Sequence, residues 1–268
     1  MRIPKYWDSV EVELKVDDVT QRSVVRGHSD VSQTDARSQA LRNAEKVQAR
    51  IISSEPRHWE EYEVCIREEI LAELAPDAIV TRNRYGAEVL NCARLVIIDV
   101  DRAPERGFWS LLFKRDRRSA KLRMLDHVRQ TAKAHLSEGL GFRIYETHNG
   151  YRVILVGRAL PPAEPLVRDL FKAMRSDNLY VMLCLRQDCY RARLTPKPHR
   201  IKQKTIRLRF PYDAATGTAL TEWARSYENA SRRFSVCHLV DVIGDQRTDD
   251  VVRYHDERCC RGNDLPLA

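Results

Sequence analysis

The chain has 268 residues, 43% hydrophobic and 31% charged, with a formal net charge of +8. That length buries a real core as one large domain or two small ones, and the composition is that of an ordinary globular chain without repeats or low-complexity tracts. No run approaches about 18 apolar residues and the N-terminus has no apolar stretch, so neither a membrane span nor a signal peptide is expected.

The basic excess suits polyanionic partners. Arginine outnumbers lysine, and its planar fork suits phosphates and bases. The seven cysteines include no C-x-x-C pair. Neither a zinc site nor a disulfide framework is expected; reduced thiols in a cytoplasmic protein are.

In chain order, residues 9–16 alternate apolar and polar side chains and predict a half-exposed strand. Ser32-Gln33-Thr34-Asp35 has the outline of a capping box. Ala40, Ala44, Val47 and Ile51 follow as one stripe of an amphipathic helix whose other face is basic. Residues 53–62 read as a loop around Pro56, and residues 65–75 as a second helix stopped by Pro76. A hairpin comes next, turning on Asn83-Arg84-Tyr85-Gly86. Arg82 and Arg84 flank that turn, either as surface charge or as a grip on a triphosphate or template backbone.

Leu95-Val96-Ile97-Ile98-Asp99-Val100-Asp101 predicts a buried central strand, since β-branched side chains pack well on a pleated surface. Residues i and i+2 of a strand share a face, so Asp99 and Asp101 project together. Adjacent carboxylates repel unless a positive charge sits between them. A hard divalent ion, Mg²⁺ or Mn²⁺, answers that need through oxygen ligands. The alternative is that Asp101 caps a turn and Asp99 pairs with an arginine.

Residues 102–119 are irregular and basic, with Phe108, Trp109 and Phe113 interleaved. Such a mixture suits single-stranded nucleic acid, or a loop whose rings tuck onto the core. Residues 119–137 predict a helix striped by Leu122, Leu125, Val128, Ala132 and Leu136. Residues 142–146 and 151–156 predict a hairpin on Thr147-His148-Asn149-Gly150, since Asn-Gly is a strong turn signal. A helix over residues 166–174, a strand over 179–185 behind Asp177 and a strand over 189–194 follow. Thr195-Pro196-Lys197-Pro198-His199-Arg200 reads as extended and basic. A short strand from residue 207, a helix near 220–233 and an apolar run over 236–243 complete the chain.

The order of a D-x-D strand, a helix, a small-residue hairpin, a further acid and a basic Arg-x-Arg-Leu-Thr-Pro-Lys-Pro segment resembles the catalytic core of the archaeo-eukaryotic primase, or primase-polymerase, superfamily. The resemblance covers roughly residues 80–205. It implies that Asp99 and Asp101 are metal ligands and catalytic acids, with Asp177 as the third; Asp188 is the alternative. In the family a histidine follows the glycine turn. Here Tyr151 and Arg152 stand there, and His148 precedes the glycine. Carried over, the resemblance assigns His148, Arg152, Arg191, Arg193 and Lys197, with Arg82 and Arg84, to nucleotide or phosphate binding. The segments T-R-N-x-Y-G-x-x-V-L-N and A-R-L-T-P-K-P are also similar to those of a bacterial protein family with no assigned activity.

The expected fold is α+β (or α/β): a mixed, largely antiparallel central sheet with packed helices. The expected organisation is an N-terminal extension over 1–78, a primase-polymerase-like core over 79–212 and a C-terminal extension over 213–268. The expected activity is metal-dependent nucleotidyl transfer with Mg²⁺ or Mn²⁺. The expected partners are a nucleoside triphosphate and nucleic acid, single-stranded or primer-template, with no membrane partner. The rivals are a non-catalytic nucleic-acid-binding protein on the same fold, a metal-dependent nuclease, and a scaffold whose acids pair with its arginines.

Overall fold

The computed structural model describes residues 1–16, 19–53, 65–101 and 117–268. The chain is α+β. Two long strands, β1 (Tyr6–Val16) and β2 (Val19–Ser29), form an antiparallel hairpin, and α1 (Gln33–Ser53) packs on it. Val10, Ala40 and Ala44 are buried between hairpin and helix. Ser32 caps α1 by accepting from the Asp35 amide at 3.1 Å, as the capping pattern predicts. The carboxylate of Asp35 instead accepts from Ser29 Oγ at 2.7 Å.

Two four-stranded antiparallel sheets follow. One has the order β3 (Glu69–Ala75), β4 (Ala78–Arg82), β5 (Glu88–Cys92), β9 (Tyr190–Arg193). The other has the order β10 (Cys237–Gly244), β7 (Gly141–Thr147), β8 (Gly150–Val156), β6 (Ile97–Asp101). The expectation of one mixed sheet is thus corrected, since the strands divide between two sheets. Every named ladder is antiparallel, and the single parallel contact among the described residues is the isolated bridge from Ser235 to Leu267. β3, from before residue 79, pairs with β4 from beyond the hairpin connection at residues 76–77.

β8 is buried along its whole length. It is the inner strand beside β6, which lies at the sheet edge, contrary to the central position expected of it. β6 is nonetheless apolar because its outer edge is covered. Ser176 Oγ and the Asp177 amide both donate to the Asp99 carbonyl, at 2.8 and 3.1 Å. Tyr180 Oη donates to the Ile97 carbonyl at 2.8 Å. An edge sealed in this way offers no free ladder for another strand.

Helices α2 (Arg117–Ala134), α3 (Pro165–Ala173), α4 (Asn178–Gln187), α5 (Ala214–Ser231) and α6 (Asp250–Cys259) complete the chain. The main core joins Ile97 and Ile98 of β6, Phe142 and Ile144 of β7, Ile154 of β8, Val128 of α2 and Leu170 of α3. Leu122 and Leu136, expected on the buried stripe of α2, are largely exposed, so only Leu125, Val128 and Ala132 face the core.

Three predicted elements are corrected; the short strand expected from residue 207 is irregular chain, with no strand between β9 and β10. Residues 65–75 hold strand β3 and not a helix: Glu-Ile-Leu-Ala-Glu-Leu-Ala has helical propensity, but pairing along β4 overrides it. Residues 179–185 hold helix α4 and not a strand, because Asp177 caps it and its three leucines and Met182 favour the helix. The expected loop around Pro56 and nearly all of the basic stretch at 102–119, including Phe108, Trp109 and Phe113, lie outside the described residues. Among the described residues no helix is long and apolar enough to cross a membrane.

Candidate functional site: an acid pair in a basic cleft

β6 delivers Asp99 and Asp101 into a cleft of about 1100 Å³ between the two sheets. The strand's alternation does this: Ile98 and Val100 are buried in the core while Asp99 is half-buried and Asp101 exposed. Across the ladder Asp99 is paired with Arg152 and Asp101 with Gly150. Gly150 approaches the Val100 carbonyl so closely that any Cβ there would collide with it. Burial raises the Asp99 carboxyl above its ordinary value. Arg152 and Arg193 oppose that rise, and Asp101 and Asp177 add to it.

Six of the cations expected at the site line this cleft: Arg82, Arg84, Arg152, Arg191, Arg193 and Lys197. The second sheet positions several of them. In β9, Tyr190 and Ala192 point into the core, so Arg191 and Arg193 alternate to the other face. Arg191 is held by Glu68 at 2.6 Å, and Glu68 also accepts from Thr81 Oγ1 at 2.6 Å. Arg82 is held by Glu69 at 3.0 Å. Arg84 rides on a turn set by Asn83, whose Oδ1 accepts from the amides of Tyr85 and Ala87 at 3.2 and 3.1 Å. The turn needs Gly86, where φ is +90° and the Trp223 ring lies where a side chain would go.

Lys197 is presented by the proline segment. Thr195 Oγ1 accepts from the Glu88 amide at 2.9 Å, and Tyr227 Oη contacts Thr195 Oγ1 at 2.9 Å and the Pro196 carbonyl at 2.5 Å. The expected extended run ends early, as Pro198–Ile201 closes into a 3-10 turn.

Arg152 differs from its neighbours. It is 4% exposed. Its Nη1 lies 3.1 Å from the Arg193 carbonyl and 3.0 Å from His255 Nε2. It touches the cleft from behind as a fixed counter-charge to Asp99, with its Nη1 already engaged.

Two expected residues do not line the cleft. Asp177 is exposed and spends a carboxylate oxygen on capping α4, accepting from the Tyr180 amide at 2.8 Å. His148 is exposed on the β7–β8 turn, where its Nδ1 donates to the Leu267 carbonyl at 3.0 Å. Asp188, the alternative third acid, is the left-handed C-cap of α4 and pairs with the terminal amine of Met1 at 3.2 Å.

Sequence reasoning missed Arg67, Arg207 and Arg209, which also line the cleft with Tyr85, Phe210 and Tyr212. The alternation Arg207-Leu208-Arg209 around buried Leu208 was the available signal. In all, nine basic side chains face three carboxylates, Glu68, Asp99 and Asp101. Arg67, Arg84, Arg193, Lys197, Arg207 and Arg209 form no ion pair among the described residues. Burial and then Arg193 and Arg200 lower the Lys197 pKa; burial and then Arg26 and Arg209 lower that of Arg67. Cations that repel one another in a concave site create a strong local field for an anion.

Two oxygen-donor acids on one strand face match a hard divalent ion, and six unpaired cations around them match phosphates. No family model, curated protein or solved structure matches the chain, so its function rests on this geometry.

Proposed function

We propose that the chain is a metal-dependent nucleotidyltransferase of primase-polymerase type, which binds a nucleoside triphosphate and a nucleic-acid strand in this cleft. The observation that carries the reading is the acid pair set among unpaired cations. Asp99 and Asp101 supply oxygen ligands to Mg²⁺ or Mn²⁺. A divalent ion there supplies charge neutralisation at a phosphate under attack.

Arg193, Lys197 and Arg84 neutralise the phosphate oxygens, while Arg191 and Arg82, fixed by Glu68 and Glu69, keep their forks oriented. Arg152, at the back wall, sets a fixed positive charge beside Asp99. Arg207 and Arg209 extend the positive field, and the rings of Tyr85, Phe210 and Tyr212 suit stacking of bases from a single strand. Seven free thiols fit a reducing compartment, and the reading places the protein in the cytoplasm.

One observation favours a second reading. Asp177 caps a helix, and Glu68 is spent on Arg191, so the acid pair has no free third carboxylate beside it, which suits a nucleic-acid-binding protein on the same architecture without catalysis.

The deciding experiment is nucleotide incorporation on primed and unprimed templates with Mn²⁺. The wild type is predicted to incorporate, and Asp101→Ala to lose at least a hundredfold, roughly the scale of removing a principal transition-state interaction. Strand binding with no incorporation by the wild type gives the second reading the field.

A further inference from the structure

Behind the cleft lies a second constellation that the proposed transfer chemistry does not use. α6 presents Val252, His255 and Cys259 on its buried face. His255 and Cys259 are four residues apart, so they project together. β10 begins at Cys237, also fully buried. The donor atoms of Cys237, His255 and Cys259 lie within 4.8 Å of one another. Cys260 stands beside that set and not within it: its Sγ is 3.7 Å from Cys237 Sγ, and both thiols are free. A tetrahedral ion with metal–sulfur bonds of about 2.3 Å holds its sulfurs roughly 3.8 Å apart.

The imidazole is oriented as a ligand. His255 Nδ1 lies 2.9 Å from Asp256 Oδ1, and Asp256 also accepts from Tyr145 Oη at 2.7 Å and from Arg143 at 2.6 Å. Carboxylates hold metal-binding histidines in this way. Arg152 Nη1 sits 3.0 Å from Nε2. A guanidinium only donates, so Nε2 carries a lone pair and the proton is on Nδ1.

We propose that Cys237, His255 and Cys259 hold a soft divalent ion of the zinc class, with the neighbouring Cys260 swinging in as the fourth ligand that closes a structural site. Sulfur and imidazole donors select such an ion over the hard ions suited to Asp99 and Asp101. The site ties α6 to the start of β10 and the back of β8. It also reaches the cleft. A zinc ion on His255 Nε2 takes the lone pair on which Arg152 donates. Arg152 then keeps the Arg193 carbonyl and turns its charge to Asp99, its partner across the ladder. The thiols lose their protons to solvent on binding.

The test is metal analysis of reduced full-length protein purified without chelator, followed by Co²⁺ titration after the native metal is stripped. About one zinc per chain is expected, as a closed structural site takes one ion. Cobalt should give near-ultraviolet thiolate charge-transfer absorption and the strong visible bands of a tetrahedral ion. Cys259→Ser and His255→Asn should lose those bands, and Cys65→Ser, away from the cluster, should keep them. If the first two variants fail to fold, the wild-type spectrum decides. Zinc below a tenth of an equivalent with no cobalt–thiolate band overturns the proposal. So does bound zinc whose cobalt substitute shows no thiolate absorption, or a Cys237–Cys260 disulfide in metal-free folded protein.

Discussion

Asp99 and Arg152 face each other across the β6–β8 ladder, and each is drawn out of water. Burial raises the Asp99 carboxyl, so it binds a proton more readily in the folded chain than in the unfolded one. The stability it contributes is therefore greatest below its unfolded pKa, about 4, and declines as pH rises through the folded value. At neutral pH the ionised group costs stability unless a cation joins it. Asp99→Asn is predicted to be more stable than wild type at pH 7 in metal-free buffer, and to lack the wild type's decline between acid and neutral pH. Urea unfolding at stepped pH reads both effects, and a less stable Asn variant at pH 7 would contradict them. Arg152 shows why residue roles were only partly legible. Its place after the hairpin glycine marked it as a phosphate ligand, but nothing in a linear sequence shows that His255 and the Arg193 carbonyl, distant in the chain, engage its donors.

At the scale of elements, the hairpins, α1, α2 and the D-x-D strand were legible because local chemistry and burial agree there. Asn149-Gly150 turns β7 into β8, and β-branched side chains fill β6. β3 and α4 were misread because their apolar content is compatible with either state and tertiary partners decide: β4 for the first, the Asp177 cap for the second. The N-terminal unit gives a clean test of element packing. Gly27 of β2 lies against α1, and a Cβ there would collide with the backbone of Ala36 and Ala40. Gly27→Ala is predicted to destabilise this unit by about 1–3 kcal/mol through overpacking. Hydrogen exchange should speed in β1, β2 and α1 while β7 and β8 keep their protection. Unchanged exchange in α1 would mean the helix does not sit on the hairpin as described.

At the scale of the whole molecule, the chain carries a formal charge of +8, and nine basic side chains line the cleft at the acid pair against three carboxylates. Composition made the basic character of the cleft legible and the D-x-D made its acid pair legible. The Cys237–His255–Cys259 cluster was not, because its donors come from two elements without C-x-x-C spacing, and only the i, i+4 placement of His255 and Cys259 hinted at it. Single-strand binding should weaken steeply with salt, and Arg207→Ala with Arg209→Ala should reduce the log–log salt slope by roughly 1.4, about 0.7 for each phosphate that is no longer neutralised. Fluorescence anisotropy across a salt series measures this, and an unchanged slope would place the strand elsewhere. The central claim is that Asp99 and Asp101 together hold a hard divalent ion at the cleft floor. Its most direct measurement is thermal unfolding against Mg²⁺ concentration, since Mg²⁺ does not compete for thiolates. Wild-type protein should gain stability by mass action, about 2.7 kcal/mol at a hundred times the dissociation constant. The Asp99→Asn, Asp101→Asn double variant should show no gain. An equal gain in the double variant would contradict the claim.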